Sequence, residues 1–132
     1  GIIVTAIIQS SSALTAIILS LAASNLISLS LAVLITLGSN IGTCFTGFIA
    51  SINASSVSKS LAYAQIIYNL IGVITILPVL SIFLNIVKGT DMSLIRQIAN
   101  AHTLFNIYNM LIFLPFIDYF IKLMGGKVDG ID

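Results

Sequence analysis

Apolar residues run along this chain in long stretches that short polar clusters divide into arms. Ile2 to Ile8 is one arm, Gln9-Ser10-Ser11-Ser12 is a polar island, and Ala13 to Ala23 is a second arm ending at Ser24-Asn25, a turn signal. Together the two arms are long enough to cross a bilayer once as a broken helix. Alternatively, each reaches half-way as one limb of a re-entrant hairpin. Ile27 to Leu37 and Cys44 to Ile52 form the next pair, parted by Gly38-Ser39-Asn40-Ile41-Gly42-Thr43. The two glycines relax the backbone there, so this island too is expected to be an unwound helix. Asn53 to Lys59 is a water-facing loop, and Ser60 to Val87 is long enough to cross with tilt. Lys88-Gly89-Thr90-Asp91 closes that span. Met92 to Asn100 leads into a last span from Ala101 to about Ile121, followed by a polar tail through Lys122, Gly125, Gly126, Lys127 and Asp132.

Composition turns this pattern into a membrane assignment. Charged residues make up 7% of the 132 and hydrophobic residues 58%, and no charge occurs before Lys59. A soluble domain carries about a quarter of its residues as charges, so the main solvent is hydrocarbon. At roughly 20 apolar residues per crossing the length admits about four or five spans, fewer if some are re-entrant. The expectation is a single membrane domain over residues 1–132, multi-pass in the plasma (inner) membrane. If the last two long segments both cross, cations divide three to two between the two sides, Lys59, Lys122 and Lys127 against Lys88 and Arg96, a slight bias towards a cytoplasmic tail. A net charge of +1 gives no clustered cations for nucleic acid. Cys44 is the single cysteine, which leaves neither an intrachain disulfide nor a thiolate cage, and reads as a small packing residue. The apolar run is already in progress at Gly1, which points to further sequence upstream.

The islands carry the chemistry. Polar groups at membrane depth are costly unless they line a cavity that binds something. Three serines and a glutamine offer hydroxyls, an amide and, where a helix is interrupted, free backbone N–H and C=O groups. Backbone N–H groups at a helix start bind anions, while carbonyl and hydroxyl oxygens coordinate a hard cation such as Na+. Ser39, Asn40 and Thr43 add the same capability. The second island lacks the lysine that a nucleotide-binding phosphate loop requires. Gly38 and Gly42 also form a G-x-x-x-G spacing, so helix packing is the competing explanation. Catalysis is not expected: the single histidine, His102, begins a distant span, and no carboxylate precedes Asp91.

A short internal repeat relates the last two spans. Ala64-Gln65-Ile66-Ile67-Tyr68-Asn69 overlays Ala101-His102-Thr103-Leu104-Phe105-Asn106, and Leu77-Pro78 overlays Leu114-Pro115, each pair 37 residues apart. The asparagines are expected to hydrogen-bond across helices as scaffold.

Three of these segments together resemble signatures of the sodium-dependent phosphate cotransporters, the type II group and its bacterial relatives. They are Gln-Ser-Ser-Ser-Ala at 9–13, Gly-x-Asn-Ile-Gly-Thr at 38–43 and Ala-His-x-x-Phe-Asn at 101–106. The resemblance implies an all-α membrane protein of broken or re-entrant helices plus transmembrane helices, one half of an inverted-repeat transporter. The chain holds one such repeat, and Cys44 after Thr43 with the trailing Ala-His-x-x-Phe-Asn span makes it look like the second. A complete transporter then needs a first repeat, or a second copy of opposed topology. At the earlier Ala-His-x-x-Phe-Asn position Gln65 stands in place of histidine.

The function so implied is sodium-coupled symport of inorganic phosphate by alternating access. Ser10, Ser11 and Ser12 would hold phosphate; Gln9, Ser39, Asn40 and Thr43 would give oxygens to Na+; Gly38 and Gly42 would permit the unwound backbone. Spacing does not dictate the division between the two ion sites. No Lys or Arg lies near the islands, so co-bound Na+ is the natural neutraliser of phosphate, since helix ends supply only about half a charge each. Two other classes remain open: a non-transporting membrane subunit that assembles through its small-residue faces, and a passive ion pathway.

Overall fold

The computed structural model describes residues 1–123; the expected polar tail beyond Leu123 lies outside the described residues. All regular structure among them is helical: α1 (Ile2–Ile8), α2 (Ser11–Ala23), α3 (Leu29–Ser51), α4 (Ser56–Ile76), α5 (Leu80–Lys88), α6 (Leu94–Phe113) and α7 (Ile117–Leu123).

The first island is a true break. Gln9 closes α1 in the left-handed region (φ 57°, ψ 26°), its N–H donating to the Thr5 carbonyl at 2.7 Å. For a residue with a Cβ this conformation costs about 1–2 kcal/mol. Ser10 is extended, and its Oγ accepts the Ala13 N–H at 3.2 Å, which starts α2. Ser28 and Ser55 cap α3 and α4 in the same way. The turn expected at Ser24-Asn25 is present, with Asn25 also left-handed at φ 54°.

The second island is not a break, which corrects the expectation of an unwound helix. α3 runs continuously through Gly38, Ser39, Asn40, Ile41, Gly42 and Thr43. Two of its hydroxyls are satisfied within the helix, Thr36 Oγ1 donating to the Ala32 carbonyl and Thr43 Oγ1 to the Ser39 carbonyl, both at 2.9 Å. The glycines serve close approach. A Cβ on Gly42 would stand 2.6 Å from the Ile2 carbonyl oxygen and 2.7 Å from Thr5 Cβ, and one on Gly38 would stand 3.1 Å from the Ile2 nitrogen. α1 therefore lies in a groove of small residues on α3. Thr5 and Ser39, 0% and 3% exposed, meet beneath it, Thr5 Oγ1 donating to Ser39 Oγ at 2.9 Å.

α2 to α6 close around one apolar core that includes Leu14, Ile18, Val33, Ile76, Phe83, Val87, Ile98 and Phe105. Leu29–Ser51 and Ser56–Lys88 are each long and apolar enough to cross a bilayer. Leu61, Ile74, Ile82 and Ile86 are more than half exposed along the second of these, as suits a face turned to lipid. The turn at 88–91 is held by polar bonds, with Gln97 Nε2 donating to the Asp91 carbonyl at 2.7 Å and Asn100 Nδ2 to Thr90 Oγ1 at 3.0 Å.

The 37-residue repeat has a structural counterpart. Leu77–Val79 and Leu114–Phe116 each form a single 3-10 turn around their proline, following α4 and α6. Proline lacks the N–H that would continue the α-helical ladder. Both of the last two expected spans are interrupted there: the first begins at Ser56 rather than Ser60 and changes at Leu77, and the second begins at Leu94 rather than Ala101 and changes at Leu114. The same offset links Gly72 to Asn109 (109 − 72 = 37), and these two residues meet where α4 crosses α6. A Cβ on Gly72 would overlap the Asn109 amide. Asn109 is 0% exposed, and neither its Nδ2 nor its Oδ1 has a hydrogen-bond partner among the described residues.

Gly72→Ala should therefore lower the unfolding midpoint in detergent by an amount equivalent to about 1–3 kcal/mol, the usual cost of overpacking. Adding Asn109→Ala should recover most of that loss, because the amide is the obstacle. Losses that simply add in the double variant would show that the two side chains do not meet.

Candidate functional site

The break between α1 and α2 delivers Ser11 to the wall of a cavity of about 290 Å³. Its lining is Ser11 from α2, Asn40 and Thr43 from α3, Gln65, Tyr68 and Asn69 from α4, and His102 and Asn106 from α6. Every one of these side chains is polar and none is a Lys, Arg, Asp or Glu. A larger groove, about 470 Å³, lies beside α1 but is walled by hydrocarbon such as Ile2, Ile7, Ile41, Phe45, Phe48 and Ile66, and offers an ion no ligands.

Three of the residues expected at the ion sites line this cavity: Ser11, Asn40 and Thr43. The others surround it. Gln9 is exposed at the break, Ser10 caps α2, and Ser12 is exposed with its Oγ 3.1 Å from that of Ser10. Ser39 faces α1 through Thr5, and Gly38 and Gly42 lie beneath α1. At the start of α2 the N–H groups of Ser11 and Ser12 have no intrahelical carbonyl to reach, and the positive end of the helix dipole lies there.

Gln65, Asn69, His102 and Asn106 are cavity residues not among the expected ion ligands, the two asparagines being expected as scaffold. Their signal was the repeat itself, which places an amide or imidazole and an asparagine four residues apart on two helices. Asn69 does bond across helices as expected, its Nδ2 donating to Cys44 Sγ at 3.3 Å, and the same amide nitrogen donates to the Gln65 carbonyl at 3.0 Å. Cys44 is 2% exposed, and its thiol donates to the Asn40 carbonyl at 3.3 Å and the Gln65 carbonyl at 3.5 Å. Asn40 Nδ2 is buried with no partner among the described residues. His102 stands two turns inside α6 rather than at a helix start.

An uncharged cavity of amides and hydroxyls beside a helix start can solvate an anion and a hard cation together, donors on one side and oxygens on the other. Residues 1–125 match the family model described as Na+/Pi-cotransporter. The chain belongs to the Na+/Pi-cotransporter family. A protein of Bacillus subtilis (strain 168), described as uncharacterized protein YqeW, is 36% identical over 81 residues, an alignment covering 61% of this chain and 26% of that protein. The chain thus spans about a quarter of the length of that relative. No solved structure matches it. Membership of the Na+/Pi-cotransporter family agrees with the three signatures.

Because α1 rests directly on Gly42, that glycine should matter to the cavity without lining it. Gly42→Val is expected to lift α1 and shift the Gln9–Ser11 break, and, if the cavity takes phosphate, to weaken its binding about tenfold or more, a change equivalent to about 1.4 kcal/mol. Retained binding in a variant whose helix content is normal would uncouple the α1 groove from the site.

Proposed function

We propose that this chain supplies one repeat of a sodium-coupled phosphate symporter, with the 290 Å³ polar cavity as the place where the two ions meet. The observation that carries this reading is the convergence of Ser11 from the first signature with Asn40 and Thr43 from the second in one cavity that has no charged side chain.

Phosphate brings one to two negative charges into a site without a cation of its own. Ser11, flanked by Ser10 and Ser12, and the N–H groups at the start of α2 donate to its oxygens. These donors and half a helix-end charge do not neutralise it. Sodium does, held by oxygens from Thr43 and Asn40, with Gln9 and Ser39 supporting the break and the α1 contact. Asn40 can serve both ions, its unpartnered Nδ2 turned to a phosphate oxygen and its Oδ1 to the cation. Each ion thus lowers the free energy of binding the other by the same amount, and a half-loaded site stays unfavourable in low dielectric. That reciprocity is the origin of coupling, and alternating access would follow from movement against a complementary repeat or a second, oppositely inserted copy.

A purely structural subunit is the weaker reading. The small-residue face through which it would assemble, Gly38 and Gly42, is occupied by α1 of the same chain.

Phosphate binding and vesicle uptake should require Na+ and fail in choline. Ser11→Ala should raise the phosphate half-saturation about 10- to 100-fold, as expected for losing a hydrogen bond to a charged group. Equal uptake in sodium and choline would point to a passive pathway. Unchanged affinity in the Ser10→Ala, Ser11→Ala and Ser12→Ala variants would remove the serines from the site.

A further inference from the structure

The hydrogen-bond inventory around Asn69 fixes which of its atoms the cavity meets. Its Nδ2 has two hydrogens. One goes to the Gln65 carbonyl at 3.0 Å and the other to Cys44 Sγ at 3.3 Å. A main-chain carbonyl only accepts, so the opposite amide orientation would set oxygen against oxygen, and the nitrogen must face Gln65. Cys44 in turn spends its S–H on the carbonyls of Asn40 and Gln65, at 3.3 and 3.5 Å, and so meets Asn69 as an acceptor. Both donor hydrogens of Asn69 are consumed, and no donor reaches its Oδ1 among the described residues. Thr43 is in the same condition, because its hydroxyl hydrogen goes to the Ser39 carbonyl at 2.9 Å. Two side chains of one cavity, on facing helices α3 and α4, therefore offer it lone pairs only.

Resting on the proposed function, we infer that Asn69 Oδ1 joins Thr43 Oγ1 as a ligand of the co-transported cation, and that Cys44 is the positioning residue that turns Asn69 into that role. Oxygens stripped of their donors attract a hard cation and repel phosphate, so this wall of the cavity is the sodium side. The phosphate side lies towards Ser11 and the unpartnered Asn40 Nδ2. Cys44 never touches the ion. The Gln65 carbonyl decides which end of the amide is nitrogen, and Cys44, by accepting the second N–H, holds the amide plane so that Oδ1 stays turned to the cavity.

The test is sodium titration of radiolabelled phosphate binding to the purified protein, paired with phosphate titration at saturating sodium, for Asn69→Leu, Cys44→Ala and Cys44→Ser. Asn69→Leu and Cys44→Ala should raise the sodium half-saturation by about tenfold or more, with a much smaller change in phosphate half-saturation once sodium is saturating. Cys44→Ser, whose hydroxyl also donates and accepts, should return the sodium dependence to within about threefold of the unsubstituted protein. If Asn69→Leu does not fold, the Cys44→Ala and Cys44→Ser pair carries the comparison alone, since both replace a buried thiol by a similar or smaller group. A sodium dependence unchanged in all variants, or sodium and phosphate half-saturations that shift together without rescue by serine, overturns the inference while leaving the coupled site intact. Phosphate binding by the unsubstituted protein that ignores sodium overturns the coupled site itself, and this inference with it.

Discussion

The contact on which this architecture turns is the seating of α1 against α3 with no side chain between the backbones at Gly42. Ile2 and Thr5 occupy the space that a Cβ would take, and the buried Thr5–Ser39 hydrogen bond fixes the register of the two helices. Everything at the site is downstream of that register. α1 is only seven residues long, too short to be stable alone. Its position, and with it the left-handed Gln9 and the Ser10 cap, is therefore set by packing on α3. A longer side chain on that face would move the start of α2 away from Asn40 and Thr43.

A chain so poor in charge has few ways to build an ion site. In hydrocarbon each polar group needs a partner, and α3 solves this by returning hydroxyls to its own carbonyls, as Thr36 and Thr43 do. That economy has a directional consequence. A hydroxyl that donates backwards along its helix presents only oxygen lone pairs outwards, and an amide whose nitrogen is held by a neighbouring helix does the same. The cavity acquires an electronegative wall without any carboxylate. A helix start on another side supplies donors without any lysine. Opposed partial charges of this kind suit two opposite ions better than either alone.

How far the fold was legible depends on how local its causes were. The break at Gln9 and Ser10 and the turn at Ser24-Asn25 follow from a capping serine and a left-handed asparagine, which act within a few residues. The Leu-Pro pairs were legible as a repeat but not as the interruptions they make in the last two spans. The Gly38 to Thr43 segment misled because glycine, serine and asparagine weaken a helix locally by about 0.5–1 kcal/mol each, a cost that packing elsewhere can repay. Here the repayment comes from α1, more than thirty residues away in sequence, and no local pattern announces it. The alternative Gly-x-x-x-Gly reading held the right physics for those two positions. It was missing a partner, which turned out to lie within the same chain.

The cavity shows the same division. Ser11, Asn40 and Thr43 were readable because polar clusters in apolar runs stand out. Gln65, Asn69, His102 and Asn106 were readable only as a repeat, and repetition says that two helices are alike without saying what they face. Asn69 and Asn109 show why the distinction matters. Both are asparagines on repeat-related helices, yet one is held by a thiol at a cavity wall and the other is pressed against Gly72 with neither polar atom paired. What separates them is the residue opposite, Cys44 in one case and glycine in the other. A glycine admits the amide and gives it nothing to bond. A cysteine takes one of its hydrogens and leaves its oxygen free. The identity of a small residue on the neighbouring helix thus decides whether an asparagine amide in this bundle is paired and oriented or left without a partner.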